Sequence, residues 1–439
     1  MKDSTNAISD SCPIREVFTA PGLTAYGGAS LLVDFLRRHL NLRDCFRRLP
    51  LQKASWATYR LDQELESLVG AYALGIPRIG RMDEIVHDPL LCRKLGVAKL
   101  PQKSTLYRAL ERFDSEERVA TLATVNACVL ERLLGGQEQA ILDIDTTVET
   151  VYGEQERSCV GYNPRYHGRS SYQPLLAFEG QSQAVVHVTL RSGRSPAADE
   201  KISFYRQAKS QLPLGCHLRF LRADKGFTSE DLCAALEEDN VGYTLKLRMT
   251  KGLRARIERG VLWRRLPGAD SNIVLEAGCV KFKAVDWSKY RRVALIRTKP
   301  LDDPQEALFA DYLWDYEAIV TNLNWDPEDV WHFYNHRCTC ENSIKELKQG
   351  LRIDAIAKAD FWPNAADLWL KTIAYNASLG FKRLAPAPYD SHTAQRLRRA
   401  LFQVPAQLIR HARQWWLKLP EHWPHQEAWQ ALRLALNSG

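Results

Sequence analysis

The sequence lacks the features of a membrane protein and of a secreted one. No apolar run approaches the roughly 20 residues that a helix needs to cross a bilayer, and the mean hydropathy is −0.34. The N-terminal segment MKDSTNAISDSCPIREV contains no apolar stretch of the kind found in a secretory signal. We therefore expect a soluble protein that works in the cytoplasm and has no membrane partner.

The cysteines form neither a metal-binding pattern nor a disulfide framework. Ten of them are scattered over 439 residues, and structural disulfides are uncommon in a long chain without a secretory signal. Cys338 and Cys340 form C-x-C, not the C-x-x-C of zinc sites, and no second pair accompanies them. We interpret both as ordinary helix residues.

The composition is that of a globular protein with a small excess of positive charge. Hydrophobic residues make up 45% and charged residues 26%, which excludes wholesale disorder. The net charge is +8, and the segment after residue 380 carries nine Lys or Arg against three Asp or Glu. Such an excess permits an acidic partner.

The pattern of residues predicts an α/β protein with flanking helices. In the middle of the chain, strand-like and helix-like runs follow in the order of a mixed α/β sheet. The predicted segments are a helical domain at 1–136, the first part of the α/β core at 137–248, a β-strand insertion at 249–313, the second part of the core at 314–386, and a basic helical tail at 387–439.

A basic helix near residue 105 makes the first segment a candidate DNA-binding domain. It carries Lys103, Arg108 and Arg112 and follows a short helix and turn. This order is compatible with a helical DNA-binding module. A solvated face on an ordinary helical bundle fits these residues equally well.

Acidic residues follow two predicted core strands. Asp143 and Asp145 alternate with apolar residues, so both project from the same face of one strand. Asp224 comes directly after the strand LRFLRA, and ligands of open α/β sheets gather beyond the carboxyl ends of strands. Solvated acids at a strand end, or an aspartate capping the next helix, are the plainer alternatives.

A helix predicted from Asp326 to about Gln349 carries a polar stripe beside its apolar face. At about 100° per residue, four side chains share a stripe roughly 60° wide; they are Tyr334, Arg337, Glu341 and Lys348. Glu346 falls on the far side. Intrahelical ion pairs could explain the stripe. Alternatively, three carboxylates could hold two Mg²⁺ ions for phosphoryl transfer, with Tyr, Arg and Lys gripping phosphates.

At this point the sequence resembles a bacterial insertion-sequence transposase of the DDE type, a group with a ribonuclease-H-like catalytic core. The segment YNHRCTCENSIKELK matches the motif Y-x2-R-x3-E-x6-K of one branch at every fixed position. LDIDTT and RADKGF resemble the segments that carry the first and second acids, and a β insertion before the glutamate also fits. The resemblance covers residues 20–385.

The resemblance implies cut-and-paste DNA transposition by a homodimer bound to terminal inverted repeats and target DNA. Asp145, Asp224 and Glu341 would hold two Mg²⁺ ions, with Mn²⁺ as a substitute. Asp143 is the rival first ligand, but Asp145 is favoured because a Thr follows it.

The resemblance also implies residues that contact DNA. Tyr334, Arg337 and Lys348 would hold the backbone of the transposon end, and Lys103, Arg108 and Arg112 would add contacts from the N-terminal domain. Trp263 and Trp287, in the β insertion, could stack on an extruded base, although packing in the fold is the plainer role for such a side chain. When bound to DNA, the protein would associate with the nucleoid.

Two other functions remain open on the sequence. One is a transposase-derived DNA-binding protein that no longer cuts DNA, and the other is a two-metal nuclease without strand transfer. The first would be favoured by loss of an acid, but all three acids are present. The second uses the same site as a transposase.

Overall fold

The computed structural model describes residues 15–194, 196–267, 272–300 and 314–438. The strands are β1 Leu23–Thr24, β2 Gln139–Thr146, β3 Glu149–Thr150, β4 Cys159–Val160, β5 Ser170–Tyr172, β6 Leu175–Glu179, β7 Val185–Thr189, β8 His217–Ala223, β9 Gly242–Lys246, β10 Arg264–Arg265, β11 Ile273–Phe282, β12 Arg291–Pro300, β13 Asp315–Thr321, β14 Ala406–His411 and β15 Gln414–Lys418.

The α-helices are α1 Ala29–Asp34, α2 Leu42–Arg47, α3 Leu61–Leu74, α4 Pro89–Leu95, α5 Lys103–Leu110, α6 Glu116–Leu134, α7 Ala198–Ser210, α8 Glu230–Glu238, α9 Lys251–Glu258, α10 Pro327–Asn335, α11 Cys338–Leu351, α12 Phe361–Leu384, α13 Ala394–Leu397 and α14 Gln426–Ser438. Shorter turns of 3-10 or π type occur at Phe35–His39, Ile79–Glu84, Tyr389–Ser391 and Arg398–Phe402. None of the helices in these ranges is both long and apolar enough to cross a membrane.

The core is a mixed sheet with the strand order β7-β6-β2-β8-β9. The first three strands in sequence, β2, β6 and β7, form an antiparallel meander. Strands β8 and β9 run parallel to β2, and helices α7 and α8 connect them. This topology is ribonuclease-H-like. It confirms the predicted α/β core, whose strands and helices follow in the predicted order.

The predicted β insertion extends this sheet and does not stand apart from it. Strand β11 pairs with β12, β12 with β13, and β13 with β9, all antiparallel. Strand β13, which lies in the second part of the core, covers the edge of β9, whose backbone groups would otherwise lack partners. The insertion also contains α9, a helix that the strand pattern did not predict. Parts of the predicted insertion, 268–271 and 301–313, lie outside the described residues.

The N-terminal segment is helical, as predicted, and packs on the core through α12. Asn126 of α6 and Asn376 of α12 meet in the interior, where the Asn376 amide donates to Oδ1 of Asn126 at 2.8 Å. Both amides also donate to the carbonyl oxygen of Val185 on β7. Buried amides need such partners, because each unpaired polar group costs about 1–3 kcal/mol. The N-terminal helices are therefore held against the sheet.

The tail is not wholly helical, which corrects the prediction for residues 387–439. Strands β14 and β15 form a hairpin that pairs with β1 near the N-terminus. The hairpin turns at Ala412 and Arg413, which both have positive φ values of 47° and 63°. Two-residue hairpin turns usually carry Gly or Asn at such positions. Because this turn has neither, the local pattern contains no hairpin signal.

Arg398 anchors the tail to helices α3 and α11 by hydrogen bonds. Its side chain is buried and donates to the carbonyl oxygens of Tyr72 and Ala73 at 2.8 and 2.7 Å. It also donates to the carbonyl of Gly350 at 2.6 Å. One guanidinium therefore joins the ends of α3 and α11, and this charge is not free for DNA.

Candidate active site

Asp145 and Asp224 lie side by side where two parallel strands end. In the β2–β8 ladder Ile144 aligns with Ala223, and each aspartate is the next residue of its chain. Neighbouring strands are about 4.8 Å apart, so the two aspartates emerge together at the carboxyl edge of the sheet. The backbone N–H of Thr146 donates to Oδ1 of Asp145 at 2.8 Å. Both aspartates are partly exposed.

The Asp143 carboxylate is buried and does not reach the carboxyl edge of the sheet. It is fully buried, and Arg222 of β8 donates to both of its carboxylate oxygens at 2.5 and 2.7 Å. Arg222 also donates to the carbonyl oxygen of Phe333 at 2.9 Å. Both carboxylate oxygens already have a cationic partner. Sequence reasoning did not identify Arg222, although its alternation within LRFLRA could have placed it on the same face as Asp143.

The long helix predicted from Asp326 to about Gln349 is interrupted at Arg337. It begins as predicted, since Oδ1 of Asp326 accepts from the N–H of Glu328 at 3.1 Å. Helix α10 ends at Asn335 and α11 begins at Cys338. Between them the bonds tighten to i, i+3 spacing, with the N–H of Arg337 bonded to the carbonyl of Tyr334 at 2.9 Å. The predicted single helix is therefore wrong.

On the two sides of the interruption the motif residues differ in solvent exposure. Tyr334 and Arg337 are 3% and 6% exposed, whereas the Glu341 side chain is 61% exposed. The sequence predicted a common stripe at the edge of the buried face. The structure turns the tyrosine and arginine inward, so neither presents the open surface that direct contact with a DNA backbone requires.

Arg337 bridges two of the three predicted catalytic acids. Its Nη1 donates to Oδ2 of Asp145 at 3.0 Å, and its Nη2 donates to Oε1 of Glu341 at 3.1 Å. Burial by itself would lower the pKa of Arg337, but the charge of Asp145 acts together with Tyr334 and Cys340 in the opposite direction, and the pKa rises. Two carboxylates 196 residues apart in the chain are thus held within the span of one guanidinium.

Tyr334 is buried next to Arg337 and senses the charge of the third acid. Its ring packs with Val330, and Lys246 lies 5.7 Å from the ring centroid. Burial raises the pKa of the Tyr334 hydroxyl, and the nearby charge of Asp224 raises it further. The Arg337 guanidinium lies 5.8 Å from the centroid of the Tyr334 ring, so the two buried motif residues are neighbours.

The remaining helix residues lie as their spacing predicted. Nζ of Lys348 donates to the carbonyl oxygen of Val148, just beyond the end of β2, at 3.0 Å. Glu346 points away from the acids and accepts from the N–H of Ala394 at 2.6 Å. Cys340, an ordinary helix residue as expected, places its buried Sγ 3.6 Å from Asp145.

In this structure Asp145, Asp224 and Glu341 do not lie close enough together to form a metal-binding cluster. Within the described parts of the chain, no three His, Cys, Asp or Glu side chains converge closely enough to hold a metal ion. The donor chemistry nevertheless fits Mg²⁺, which prefers oxygen ligands from few carboxylates. A cation, Arg337, already lies between two of them. The site therefore attracts positive charge.

The N-terminal basic residues line a separate cleft. Arg108 and Arg112, together with Lys53 and Lys99, border a cavity of about 390 Å³. Lys103 lies outside this cavity and pairs with Asp83 at 3.1 Å. Sequence reasoning missed Lys53 and Lys99, because only the fold brings their loops to the basic helix.

The two tryptophans expected to stack on a base are engaged by protein side chains. Trp287 is 5% exposed in the hydrophobic core, with its ring centroid 5.9 Å from that of Phe282. In this structure its ring packs against protein side chains, and its stacking on a base stays a prediction. Trp263 is partly exposed, with the Arg297 guanidinium 4.2 Å from its ring centroid. A role for Trp263 stays a prediction.

Two aspartates at the carboxyl edge of a mixed sheet lie where open α/β sheets bind their ligands. The chain belongs to the family described as transposase DDE domain group 1, whose model matches residues 6–438. Membership places it in a class of enzymes that cleave and transfer DNA strands and generally use divalent metal ions.

Comparison with solved structures gives a distant similarity. The cryo-EM structure of the piggyBac transposase synaptic complex with hairpin DNA matches 87% of this chain over 81% of its own, with 11% sequence identity and a TM-score of 0.44. No curated protein matches the sequence.

Proposed function

We propose that this transposase moves an insertion sequence by cutting DNA at terminal inverted repeats and joining the free 3′-hydroxyls to target DNA. Asp145, Asp224 and Glu341 are the proposed catalytic carboxylates. The observation that carries the proposal is the bridge from Asp145 through Arg337 to Glu341, beside Asp224 at the strand ends.

The three carboxylates are the proposed holders of two Mg²⁺ ions, with Mn²⁺ as a substitute. When bound, such a pair stabilises the attacking and leaving oxygens of phosphoryl transfer. Asp145 is a better ligand than Asp143 because it is partly exposed and Asp143 is sealed by Arg222. Glu341, at the start of α11 and largely exposed, has room to turn from Arg337 toward a bound metal ion.

Arg337 and Tyr334 are proposed to position the acids. Burial fixes both side chains, and Arg337 orients Asp145 and Glu341 by charge-assisted hydrogen bonds. This role replaces the direct grip on the DNA backbone that the resemblance implied for them. Lys348 remains the motif cation nearest to a surface cavity, and we keep its proposed contact with DNA.

The basic cleft is the proposed second contact with transposon DNA. Four cations line it, and one of them, Lys53, is paired with the buried Glu64. Phosphate contacts from Lys and Arg supply most of the sequence-independent affinity for DNA. Lys103 extends this surface from the same helix. The proposed assembly is a homodimer on two transposon ends, associated with the nucleoid.

A strand-transfer assay tests the function, using linear DNA that carries the sequences flanking the coding region. With Mg²⁺, the wild type should cleave at the element ends and join them to a plasmid. Glu341→Gln keeps helix propensity but removes a charge that a metal ligand needs, so cleavage should fall by orders of magnitude while DNA binding survives.

Glu346→Gln is the matched control on the same helix. Its side-chain oxygen still accepts from Ala394, and it should cleave nearly as the wild type does. Cleavage without joining would identify a nuclease, and binding without cleavage a DNA-binding protein. Equal activity in Glu341→Gln and the wild type would contradict the assignment of the glutamate.

A further inference from the structure

A turn of the core sheet is hydrogen-bonded to helix α11, the helix that carries Glu341. The turn joins β6 to β7, and Gln183 lies near its end. The Nε2 of Gln183 donates to Oγ1 of Thr339 at 3.0 Å, and its Oε1 accepts from Oγ of Ser343 at 2.9 Å. Nε2 also donates to the carbonyl oxygen of Gly180 at 2.8 Å. Neither the sequence motifs nor the proposed chemistry uses this side chain.

The backbone of Gln183 is in a conformation that suits other residues better than glutamine. Its φ is 62°, in the left-handed region that Gly, Asn and Asp enter most readily. Such conformations cost free energy and persist where the surrounding structure holds them, often at functional sites. A glycine or an asparagine would ease the backbone but would not reach both hydroxyls of α11. What the glutamine adds at this position is the contact with the helix.

A buried glutamate fixes the shape of the turn. Glu179 is fully buried, and its Oε2 accepts from the N–H groups of Gln181 and Ser182 at 3.2 and 2.7 Å. The N–H of Gly180 donates to the carbonyl oxygen of Ile141 on β2 at 2.8 Å. The turn is therefore tied to the strand that carries the first acid, and it is a firm support for α11.

Helix α11 depends on such a support because it is not continuous with α10. The chain is interrupted at Arg337, and within the described residues no side chain caps the first turn of α11. Thr339 and Ser343 lie two residues before and two residues after Glu341. At about 100° per residue, both project from roughly the opposite side of the helix. Gln183 therefore holds one side of α11, while Glu341 meets Arg337 on the other.

We propose that Gln183 is a positioning residue for Glu341. Its amide fixes the first turns of α11 against the core sheet and so sets where the glutamate carboxylate lies relative to Asp145 and Asp224. The inference rests on the proposed function and adds a residue to it. With the helix fixed, the carboxylate reaches a metal ion by rotation of its side chain alone. Partners that orient a metal ligand from outside typically contribute about 10–100-fold to metal affinity.

Binding of Mn²⁺ to the full chain tests this inference, with the free ion measured by electron paramagnetic resonance and no DNA present. Gln183→Asn is the main variant, because asparagine accepts the left-handed backbone but is one methylene too short to reach both hydroxyls. Its midpoint of urea unfolding should stay close to that of the wild type, while its Mn²⁺ affinity should fall about tenfold. Glu341→Gln should lose at least as much affinity.

Variants on the α11 side supply the rescue and the control. Thr339→Val removes the hydroxyl with little change of shape and should weaken Mn²⁺ binding, whereas Thr339→Ser retains the hydroxyl and should bind as the wild type does. When Gln183→Asn and Thr339→Val are combined, the loss should be smaller than the sum of the two, because they remove a shared contact. Gln181→Ala changes an exposed side chain of the same turn and should leave Mn²⁺ affinity unchanged.

Wild-type Mn²⁺ affinity in Gln183→Asn would overturn the inference. An affinity that falls only in variants whose urea midpoint also falls would overturn it too, since a purely structural role explains that result. Unchanged affinity in Glu341→Gln would remove the metal ligand that Gln183 is proposed to position.

These outcomes do not depend on the strand-transfer assay. If the Mn²⁺ affinities behave as expected but the wild type neither cleaves nor joins DNA, the role of Gln183 is retained and the transposition chemistry is wrong. If the wild type cleaves and joins DNA but Gln183→Asn binds Mn²⁺ normally, the proposed function is retained and the positioning role is wrong.

Discussion

Oδ2 of Asp145 lies 3.0 Å from Nη1 of Arg337, although 192 residues separate the two in the chain. The arginine of the motif is therefore ion-paired with the acids and does not lie on the exposed surface. A guanidinium between two carboxylates stabilises them when no other cation is present. The same contact must loosen when a metal ion takes the carboxylate oxygens.

Replacing Arg337 should reveal whether Arg337 and a metal ion compete for the carboxylates of Asp145 and Glu341. In Arg337→Gln, Asp145 and Glu341 lose their shared cation, and metal-free protein should lose about 1–3 kcal/mol of unfolding free energy. Added Mg²⁺ should raise the melting temperature more in this variant than in the wild type, because binding to the folded state stabilises it. Arg254→Gln, an exposed site on α9, is the control. An equal response to Mg²⁺ in all three proteins would refute the competition.

The buried pair of Asp143 and Arg222 should matter for stability. Arg222→Met leaves a fully buried carboxylate without its partner, which typically costs about 3–5 kcal/mol. Urea unfolding should show this loss. Arg219→Met changes an exposed arginine of the same strand and should cost much less. Similar losses in both variants would show that the pair is not the cause.

The basic cleft should set the salt dependence of DNA binding. In the double variant Arg108→Gln and Arg112→Gln, the slope of log affinity against log salt should fall by about 0.9 for each phosphate that the variant no longer binds. Arg132→Gln, exposed at the end of α6, should keep the wild-type slope. If the double variant also keeps it, DNA binds elsewhere, and the basic hairpin of the tail becomes the next candidate.

Glu149 should make stability depend on pH. It is 2% exposed, and burial raises its pKa from 4.5 to about 8 despite nearby Lys371 and Lys348. Between these values the folded state binds more protons than the unfolded state, so the unfolding free energy falls as the pH rises. The full loss is on the order of 3–5 kcal/mol.

Urea unfolding across that pH range checks this expectation. Glu149→Gln cannot ionise, so its stability relative to the wild type should increase from pH 4.5 to pH 8. Glu138→Gln, at an exposed position before β2, should follow the wild type. A constant difference between Glu149→Gln and the wild type would mean that Glu149 is ionised throughout.

The sequence by itself determined the parts of this protein that depend on local pattern. Alternation in LDIDTT and LRFLRA predicted one strand that carries Asp145 and another that Asp224 directly follows, and helical spacing separated Glu346 from Glu341. These predictions succeeded because side-chain direction in a strand or helix follows from backbone geometry alone. The motif likewise led to the family.

Only the tertiary structure decided which of these residues are buried and what they contact. In the folded protein Arg222 forms an ion pair with the buried Asp143, and Arg337 forms one with Asp145. Trp287 is buried, and the tail pairs with β1. Each of these outcomes depends on contacts between segments far apart in the chain. Desolvation and ion pairing act between residues that meet in space, and no local pattern records which residues will meet.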